Sequence, residues 1–416
     1  MSRHITIVDE KLRKTAQDAL NNPTPQDSPT SPALDKLTSL GTELWLDTGN
    51  LEEAQGLWHK DFTALTTNNT LANQVVQTGV LDEVAREALA DLRTYGGGLT
   101  EDEMVMELGF IVNCHIALRL VKAFGVKVSV ELHPAVSHDI GRTVAYAERY
   151  YAICPERFII KIPLTPEGYC AVAQVRAKGI PVNYTLGFSA RQNYLAALLS
   201  GPTYCNVFLG RLNAVIADNG WGDGVNVGEK AEMATQVMLR EARATGKTQT
   251  KLIAASMRSA AQVSSLAGTD VYTIPPKAVK EFLTNNPDPA SISSQVDHKF
   301  EVSFSSAADV SRTNAFWDVD EKFKAFAAEL VTKGGVNLTG NDIRLADSEH
   351  GTKLFYPFTE QEMTDVRTKG KIPDLARWPG ANSPALDDLM TQSALQSFIV
   401  DQGALDEHLL SILRAS

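Results

Sequence analysis

A lysine interrupts an apolar run that otherwise has the composition of a buried strand. Lys161 is preceded by Phe-Ile-Ile and followed by Ile, and Pro155 and Pro163 bound the run. Burial in such a strand disfavours the charged ammonium form. A neutral amine attacks carbonyl carbons and forms Schiff bases, so Lys161 is a candidate nucleophile. The alternative is an ordinary lysine near a strand end whose amine reaches solvent.

Polar residues recur at or just after the carboxyl ends of the other predicted strands. Each has an ordinary reading when it is taken alone, as a helix N-cap, a turn residue or half of a surface ion pair. Their recurrence at one end of many strands indicates a shared site instead. These residues are Asp47, Thr66, Asn68, Glu131, Asn183, Thr185, Asn206, Arg211, Ser256 and Arg258.

The elements that would position these side chains alternate between strand and helix patterns. Short apolar strands are predicted at 43–47, 63–67, 127–131, 158–162, 181–185, 204–209, 251–255 and 271–274. Amphipathic helices are predicted between them, at 51–60, 71–92, 101–124, 138–153, 167–178, 190–199, 228–245 and 259–267. This alternation predicts parallel strands joined by right-handed crossovers. Eight strands favour an α/β fold of the (β/α)8 TIM-barrel type, with an open doubly wound sheet as the alternative.

The chain extends well beyond such a barrel at both ends. Residues 1 to about 20 could form a short helix, but residues 21–32 are rich in Pro, Ser and Asn, so we expect 1–33 to be a flexible N-terminal segment. The barrel would occupy 34–290 as the catalytic domain. Residues 291–416 are predicted to be a mainly helical C-terminal extension packed on the barrel, with a turn-rich stretch at 334–377 and one or two helices at 383–414. We identify no catalytic chemistry in this extension.

Composition limits the classes of partner and compartment. Hydrophobic residues make up 44% of the chain and charged residues 21%, and no apolar run approaches the roughly 20 residues of a membrane span. A formal net charge of -11 argues against a nucleic-acid surface. The four cysteines have no CxxC spacing and are predicted to be buried free thiols, and the N-terminus lacks an apolar signal region. We therefore expect a cytoplasmic protein. Its oligomeric state is left open between monomer and homodimer.

The residue types at the strand ends fit one kind of chemistry. Schiff-base catalysis needs a neutral lysine, a group that moves protons and a base for the hydroxyl at the breaking carbon-carbon bond. Lys161, Glu131 and Asp47 supply these three groups. Arg211 and Arg258 are suited to clamp a phosphate, because a guanidinium group matches its geometry better than an ammonium group does. A phosphorylated sugar is the substrate that this combination predicts.

Seven short segments, in this order, resemble those of the transaldolase family. They span roughly residues 40 to 285, and the lysine lies on the fourth predicted strand. The segments are LDTGN at 46–50, TTNNTL at 66–71, VSVE at 128–131, IKIP at 160–163, NYTLGFS at 183–189, FLGR at 208–211 and AASMR at 254–258. The resemblance implies a Schiff-base barrel enzyme that moves a dihydroxyacetone unit from a ketose phosphate to an aldose phosphate.

The resemblance also implies a role for each site residue. Lys161 would form the imine, Glu131 would work through a water held near Thr185, and Asp47 would exchange the proton of the donor hydroxyl. The substrate-binding residues would be Thr66, Asn68, Asn183, Thr185 and Asn206 for the sugar, and Arg211, Ser256 and Arg258 for the phosphate. No metal or other cofactor is expected, because the protonated imine is itself the electron sink.

The chain departs from the family pattern at four positions. Asn69 stands where proline is usual, His133 where aspartate is frequent, Asn206 where many members have serine, and Met257 where phenylalanine is common. We expect altered substrate contacts as a result, with the chemistry retained.

Two alternative functions remain. One is a lyase that cleaves fructose 6-phosphate and releases dihydroxyacetone. That branch tends to carry glutamine and tyrosine where this chain has Glu131 and Phe208, which favours the transferase. The other is a non-catalytic barrel that binds sugar phosphates, but such a protein has no need of a desolvated lysine.

Overall fold

The computed structural model describes residues 3–24, 28–380 and 382–415. Its centre is a closed barrel of eight parallel strands that neighbour one another in chain order. The strands are β1 (Glu43–Asp47), β2 (Phe62–Thr66), β3 (Lys127–Glu131), β4 (Phe158–Pro163), β5 (Val182–Thr185), β6 (Tyr204–Phe208), β7 (Lys251–Ala255) and β8 (Val271–Ile274). The predicted (β/α)8 barrel with a helical extension is confirmed, and the open sheet is excluded.

Strand register brings the reactive residues side by side. Every residue of β4 is buried, as expected for a parallel strand that is covered on both faces. Lys161 pairs with Glu131 of β3 on one side and with Asn183 of β5 on the other. The barrel therefore places an amine, a carboxyl group and an amide in one row.

Helices surround the barrel and continue beyond it at both ends of the chain. They are α1 (Arg3–Asn21), α2 (Pro32–Ser39), α3 (Leu51–Leu57), α4 (Asn69–Val76), α5 (Asp82–Tyr95), α6 (Glu101–Phe124), α7 (Ile140–Ile153), α8 (Pro166–Ala177), α9 (Ala190–Leu195), α10 (Leu209–Asp218), α11 (Val227–Ala244), α12 (Ala260–Ser265), α13 (Pro276–Asn285), α14 (Val310–Thr313), α15 (Glu321–Lys333), α16 (Gly340–His350), α17 (Glu360–Lys369) and α18 (Leu386–Ala415). The four cysteines are buried and unpaired, as predicted.

Two barrel segments differ from the sequence prediction. The single helix expected at 71–92 is two helices, α4 and α5, because Gly79 adopts a left-handed φ of 76° in the turn between them. The strand expected at 204–209 ends at Phe208, and Leu209 begins α10, which the sequence analysis missed. Leu209 follows an apolar strand without a turn signal, so the sequence reads as a longer strand.

The N-terminal segment is not flexible over its described helix, and that expectation was wrong for α1. Val8, Leu12 and Ala16 recur every four residues and form a buried face against α5, α6 and α7. Asp9 accepts a hydrogen bond of 2.9 Å from Nε of Arg149, which anchors α1 to α7. Residues 25–27 of the predicted linker lie outside the described residues.

Helix α6 is long and apolar enough to cross a membrane by length and composition alone. Most of its apolar stretch, 72%, is buried inside the protein. Its neighbours include α1, α5, α18 and β3. Burial between the barrel and these helices accounts for its apolar composition.

The C-terminal extension covers the carboxyl end of the barrel. The buried carboxylate of Asp387, in α18, accepts hydrogen bonds from Nε and Nη2 of Arg191 at 2.7 and 2.6 Å. Further along α18, Thr391 Oγ1 donates to the carbonyl of Leu186 in the loop after β5, at 2.9 Å. Helix α18 is therefore fixed to the loops in which the active-site residues of a barrel are expected.

Candidate functional site

The candidate site is a cavity of about 190 Å³ at the carboxyl ends of the strands. Nine of the predicted site residues line it, namely Asp47, Thr66, Asn68, Lys161, Asn183, Asn206, Arg211, Ser256 and Arg258. The remaining two, Glu131 and Thr185, are buried on the strands that flank β4. The barrel therefore gathers the predicted residues around a single cavity.

The lysine predicted to react is buried and has few neighbours for its amine. Lys161 is 4% exposed, and its Nζ donates to the carbonyl of Thr67 at 3.1 Å. Nζ also lies 3.3 Å from Oε2 of Glu131. The alternative of a lysine reaching into solvent is excluded, since this amine faces the cavity and a carboxyl group.

Glu131 titrates near neutral pH in this environment. Burial raises its pKa to about 7, although the positive charge of Lys161 favours the ionised form. Lys161 Nζ lies 3.3 Å from its Oε2 atom but not in hydrogen-bond geometry, so this oxygen accepts no hydrogen bond among the described residues, and neither does the buried Oγ1 of Thr185 have a partner. Buried polar atoms without partners are the kind of group that an ordered water satisfies.

Asp47 is held at the end of β1 by its neighbour strand. Thr66 Oγ1 donates to Oδ1 of Asp47 at 2.6 Å, and the same hydroxyl contacts Thr273 of β8. Burial of the Asp47 carboxyl group raises its pKa, while Lys161 and the bond from Thr66 limit the rise. Thr66 therefore orients the carboxylate, in addition to any contact with substrate.

The amide side chains in the cavity use some of their hydrogen-bonding atoms in bonds to other parts of the protein. Asn68 is the N-cap of α4, and its Oδ1 accepts from the amide of Leu71 at 2.9 Å. Asn68 therefore caps α4, which is the ordinary role of an asparagine just before a helix. Its amide NH₂ group is not used by the cap, and Asn68 also lines the cavity.

Asn206 orients Asn183 from the neighbouring strand. Nδ2 of Asn206 donates to Oδ1 of Asn183 at 3.3 Å, and Oδ1 of Asn206 accepts from the amide of Gly187 at 3.2 Å. Asn183 in turn donates from Nδ2 to Ser129 Oγ at 3.1 Å. A serine at 206 has too short a side chain to make both of these bonds, so this departure from the family pattern fixes the Asn183 amide.

Two arginines gather at the mouth of the cavity. Arg211, in the first turn of α10, is 6% exposed, and its Nη1 has no hydrogen-bond partner among the described residues. Burial, together with the nearby charge of Arg258, lowers the pKa of Arg211 to about 10, and the carboxylates of Asp401 and Glu131 offset part of this effect. A buried guanidinium with an open donor next to a second cation is suited to bind an anion.

A glycine allows this arrangement. A Cβ atom added at Gly210 would lie 2.0 Å from the carbonyl oxygen of Ser256 and 2.8 Å from Nε of Arg258. Ser256 itself has a left-handed φ of 64°. The start of α10 and the loop after β7 therefore approach closely only because residue 210 has no side chain.

The cavity wall also includes two residues of the extension, which the sequence analysis had assigned no part in the site. Phe398 of α18 lines the cavity, and its ring centre lies 5.8 Å from the guanidinium of Arg211. Lys371, in the segment after α17, lines it as well. No local signal identifies these residues, because their place depends on contacts between distant parts of the chain.

Two other departures from the family pattern also bind the extension. Nδ2 of Asn69 donates to Oε1 of Gln402 at 2.8 Å, and Nε2 of Gln402 donates to Oδ1 of Asp406 at 2.8 Å. The other oxygen of Asp406 lies 3.0 Å from Nε2 of His133. Proline at 69 would remove the donor. The residues at 69 and 133 that depart from the family pattern are therefore the ones that bond the barrel to α18.

Metal ligands do not gather in the described chain. Within residues 3–24, 28–380 and 382–415, no three His, Cys, Asp or Glu side chains are grouped as metal ligands would be.

Known proteins are similar to more than half of this chain. A profile of the Transaldolase/Fructose-6-phosphate aldolase family matches residues 44–334. A probable transaldolase of Thermus thermophilus is 33% identical over 245 residues, covering 58% of this chain and 90% of that protein. The transaldolase of Xanthomonas euvesicatoria pv. vesicatoria is 28% identical over 241 residues, covering 56% and 73%. That of Chlamydia pneumoniae is 28% identical over 258 residues, covering 59% and 75%.

Proposed function

The chain belongs to the transaldolase/fructose-6-phosphate aldolase family, and from this premise we propose that it is a transaldolase acting through a Schiff base on Lys161. In this proposal it transfers a dihydroxyacetone unit from a ketose phosphate to an aldose phosphate. Sedoheptulose 7-phosphate and glyceraldehyde 3-phosphate would give erythrose 4-phosphate and fructose 6-phosphate. The coarser statement, an enzyme of the transaldolase and aldolase type, follows from the family alone.

One observation carries the proposal. Lys161 is buried with its Nζ 3.3 Å from a glutamate whose pKa is about 7, at a cavity that has two arginines at its mouth. A carboxyl group with such a pKa gives and takes protons readily near neutral pH. The amine, the proton carrier and the anion site are the three parts that a Schiff-base enzyme for sugar phosphates needs.

The first steps form the imine. Lys161 passes a proton to the Glu131 carboxylate 3.3 Å away, and the resulting amine attacks the ketose carbonyl. The protonated Glu131 then supplies the proton that lets the carbinolamine oxygen leave as water. A water bound between the unpartnered atoms of Glu131 and Thr185 would relay this proton. Asn68 and Asn183 hold the hydroxyl groups of the dihydroxyacetone unit in this scheme.

The carbon-carbon bond then breaks. The Asp47 carboxylate takes the proton of the hydroxyl on the departing carbon, so that carbon becomes an aldehyde and the electron pair enters the iminium as an enamine. The aldose phosphate leaves, and an acceptor aldehyde takes its place. The enamine carbon attacks this aldehyde, Asp47 returns the proton, and water releases the new ketose from Lys161.

The phosphate end of the sugar would lie at the mouth of the cavity. Arg211 and Arg258 supply guanidinium donors there, and Ser256 adds a hydroxyl. The amide groups of the first turn of α10 have no side-chain cap, which leaves them as further donors for an anion.

The test is to trap the imine with borohydride. Incubation with fructose 6-phosphate and borohydride should leave a dihydroxyacetone-sized adduct on Lys161, found by peptide mass spectrometry. Lys161→Met should show no adduct and lose about 10³-fold or more in turnover, because the nucleophile is gone. Lys127→Met, at the exposed opposite end of β3, is the matched control and should behave as the native protein.

The outcomes separate the three candidate functions. Turnover of Lys161→Met at the native rate would refute the Schiff base. An adduct followed by release of free dihydroxyacetone, unchanged by added acceptor aldehyde, would identify a lyase in place of a transferase. Binding of fructose 6-phosphate without any adduct would indicate a non-catalytic sugar-phosphate barrel.

A further inference from the structure

The cations at the mouth of the cavity include one from outside the barrel. Lys371 lines the cavity that holds Lys161, and it also lines the adjoining groove of about 790 Å³ on the outer side of α10. Arg211 and Arg258 line both spaces as well. The three cationic side chains therefore stand around the junction between the cavity and the groove.

Among the described residues, no ion pair within 4.0 Å involves the side chain of Lys371, Arg211 or Arg258. The carboxylates of Asp401 and Glu131 act on Arg211 only from a longer distance, and Nη1 of Arg211 has no hydrogen-bond partner in the described chain. Arg211 is 6% exposed, so its open donor is inside the protein and points to a ligand. In a protein with a net charge of -11, three cations around one junction make a local region of positive charge that favours an anion.

The segment that carries Lys371 is held at both ends. Ser393 Oγ of α18 donates to the carbonyl of Gly370 at 2.8 Å. On the other side, Nδ2 of Asn219, at the end of α10, donates to the carbonyl of Pro373 at 3.0 Å. The helix whose first turn carries Arg211 thus also fixes, from its last turn, the backbone next to Lys371.

We propose that Lys371 is a substrate-binding residue that completes the phosphate site of the barrel from the C-terminal extension. The phosphate of the sugar lies at the junction, held by Arg211 and Arg258 on the barrel side and by Lys371 on the side of the groove. Lys371 lies beyond residue 334, where the match to the family profile ends. This inference rests on the proposed function, since it names a binding group for the same substrates.

The test compares phosphorylated and unphosphorylated donors. Lys371→Met keeps the aliphatic stem and removes the charge. It should raise KM for fructose 6-phosphate about tenfold with kcat little changed, because one charge-assisted contact is lost equally from the bound substrate and the transition state. KM for fructose, which has no phosphate, should stay the same, and Lys371→Arg should restore most of the affinity for fructose 6-phosphate.

The control is a lysine close to Lys371 in sequence. Lys369→Met removes an exposed cation at the end of α17 that lines neither the cavity nor the groove, and it should leave both KM values unchanged. A native KM for fructose 6-phosphate in Lys371→Met, or an equal rise with both donors, would overturn the proposal.

A binding measurement keeps this test separate from the proposed reaction. Inorganic phosphate should bind the free protein, and Lys371→Met should weaken that binding about tenfold in calorimetry. If borohydride trapping fails in the native protein while this loss is seen, the catalytic proposal falls and the phosphate site stands. If trapping succeeds and phosphate binds both proteins alike, Lys371 has no part in the site.

Discussion

Glu131 shows how a single residue acquires its chemistry from its surroundings. Its carboxyl group is buried beside one cation, and burial is the larger influence, so its pKa rises from an ordinary 4.5 to about 7. The folded protein therefore binds the Glu131 proton more tightly than the unfolded chain does. The contribution of this group to stability is complete below about pH 4.5 and is lost as the pH rises to about 7. The site thus keeps a proton carrier at some cost in stability at neutral pH.

Removing the lysine should change this titration in a known direction. Lys161→Met takes away the positive charge that favours the ionised carboxylate, so we expect the Glu131 pKa to rise above its value of about 7. The measurement is the carbon chemical shift of the labelled Glu131 carboxyl group as a function of pH. Glu131→Gln identifies the resonance. A pKa that stays at 7 or falls would show that the amine does not act on this carboxyl group.

The sequence predicted the reactive groups of the site but not all of the hydrogen bonds that orient them. An apolar run around Lys161 predicted a buried amine, and the strand ends predicted the carboxyl groups of Glu131 and Asp47. The sequence did not show that Asn206 uses both ends of its side chain on Asn183 and Gly187. Such pairings depend on the register between strands, which local composition does not contain.

At the scale of elements, helix α10 does the most to shape the phosphate site. Its first turn presents Arg211, its last residues approach the segment of Lys371, and its start lies against the loop after β7. The sequence analysis read Leu209 as strand and missed this helix. In contrast, the eight strands were predicted closely because each is a short apolar run between turns. Helices α16 and α17 carried a signal that could have been used, since Thr339-x-x-Asp342 and Thr359-x-x-Glu362 are capping boxes.

Closing the space at Gly210 should damage the fold and the site together. Gly210→Ala puts a methyl group 2.0 Å from the Ser256 carbonyl oxygen, so α10 must move away from the loop after β7. We expect a loss of about 2–3 kcal/mol in the free energy of unfolding, measured in urea. Affinity for inorganic phosphate should fall as well, because Arg211 and Arg258 move apart.

The matched glycine lies on an open helix surface. A Cβ at Gly56, in α3, meets no atom within 4 Å. Gly56→Ala should therefore stabilise the protein, by about 0.5–1 kcal/mol. If the two alanine variants have the same stability, the close approach at Gly210 is not what limits that position.

At the scale of the whole molecule, the extension and the barrel are joined by buried polar contacts. Asp387 of α18 accepts from Arg191 and also from Ser189 Oγ at 2.8 Å. Sequence analysis predicted that the extension packs on the barrel but assigned it no chemistry. It could not have found Phe398 or Lys371, because both reach the cavity only through contacts between segments distant in the chain. The expected flexibility of the N-terminal segment was wrong for a related reason, since the contacts of α1 with α5, α6 and α7 also join segments distant in the chain.

The buried polar contacts between the extension and the barrel should make the chain unfold as one unit. Asp387→Ala leaves the Arg191 guanidinium buried without its carboxylate, so we expect a loss of about 3–5 kcal/mol in the free energy of unfolding. Tryptophan fluorescence and circular dichroism should report one coincident urea transition at a lower midpoint. Asp297→Ala removes an exposed partner of Arg240 and should cost less than about 1 kcal/mol. Two separate transitions in Asp387→Ala would mean that the extension unfolds independently.

The chain of hydrogen bonds from Asn69 through Gln402 and Asp406 to His133 has a consequence for evolution and for protein engineering. A change at one of these positions alters what the others tolerate, so substitutions in α18 and in the barrel loops are not independent. Mutant libraries confined to the barrel would vary Asn69 and His133 but leave their partners in α18, Gln402 and Asp406, unchanged. Transplanting the barrel loops of a relative into this chain should succeed only when the facing residues of α18 are exchanged with them.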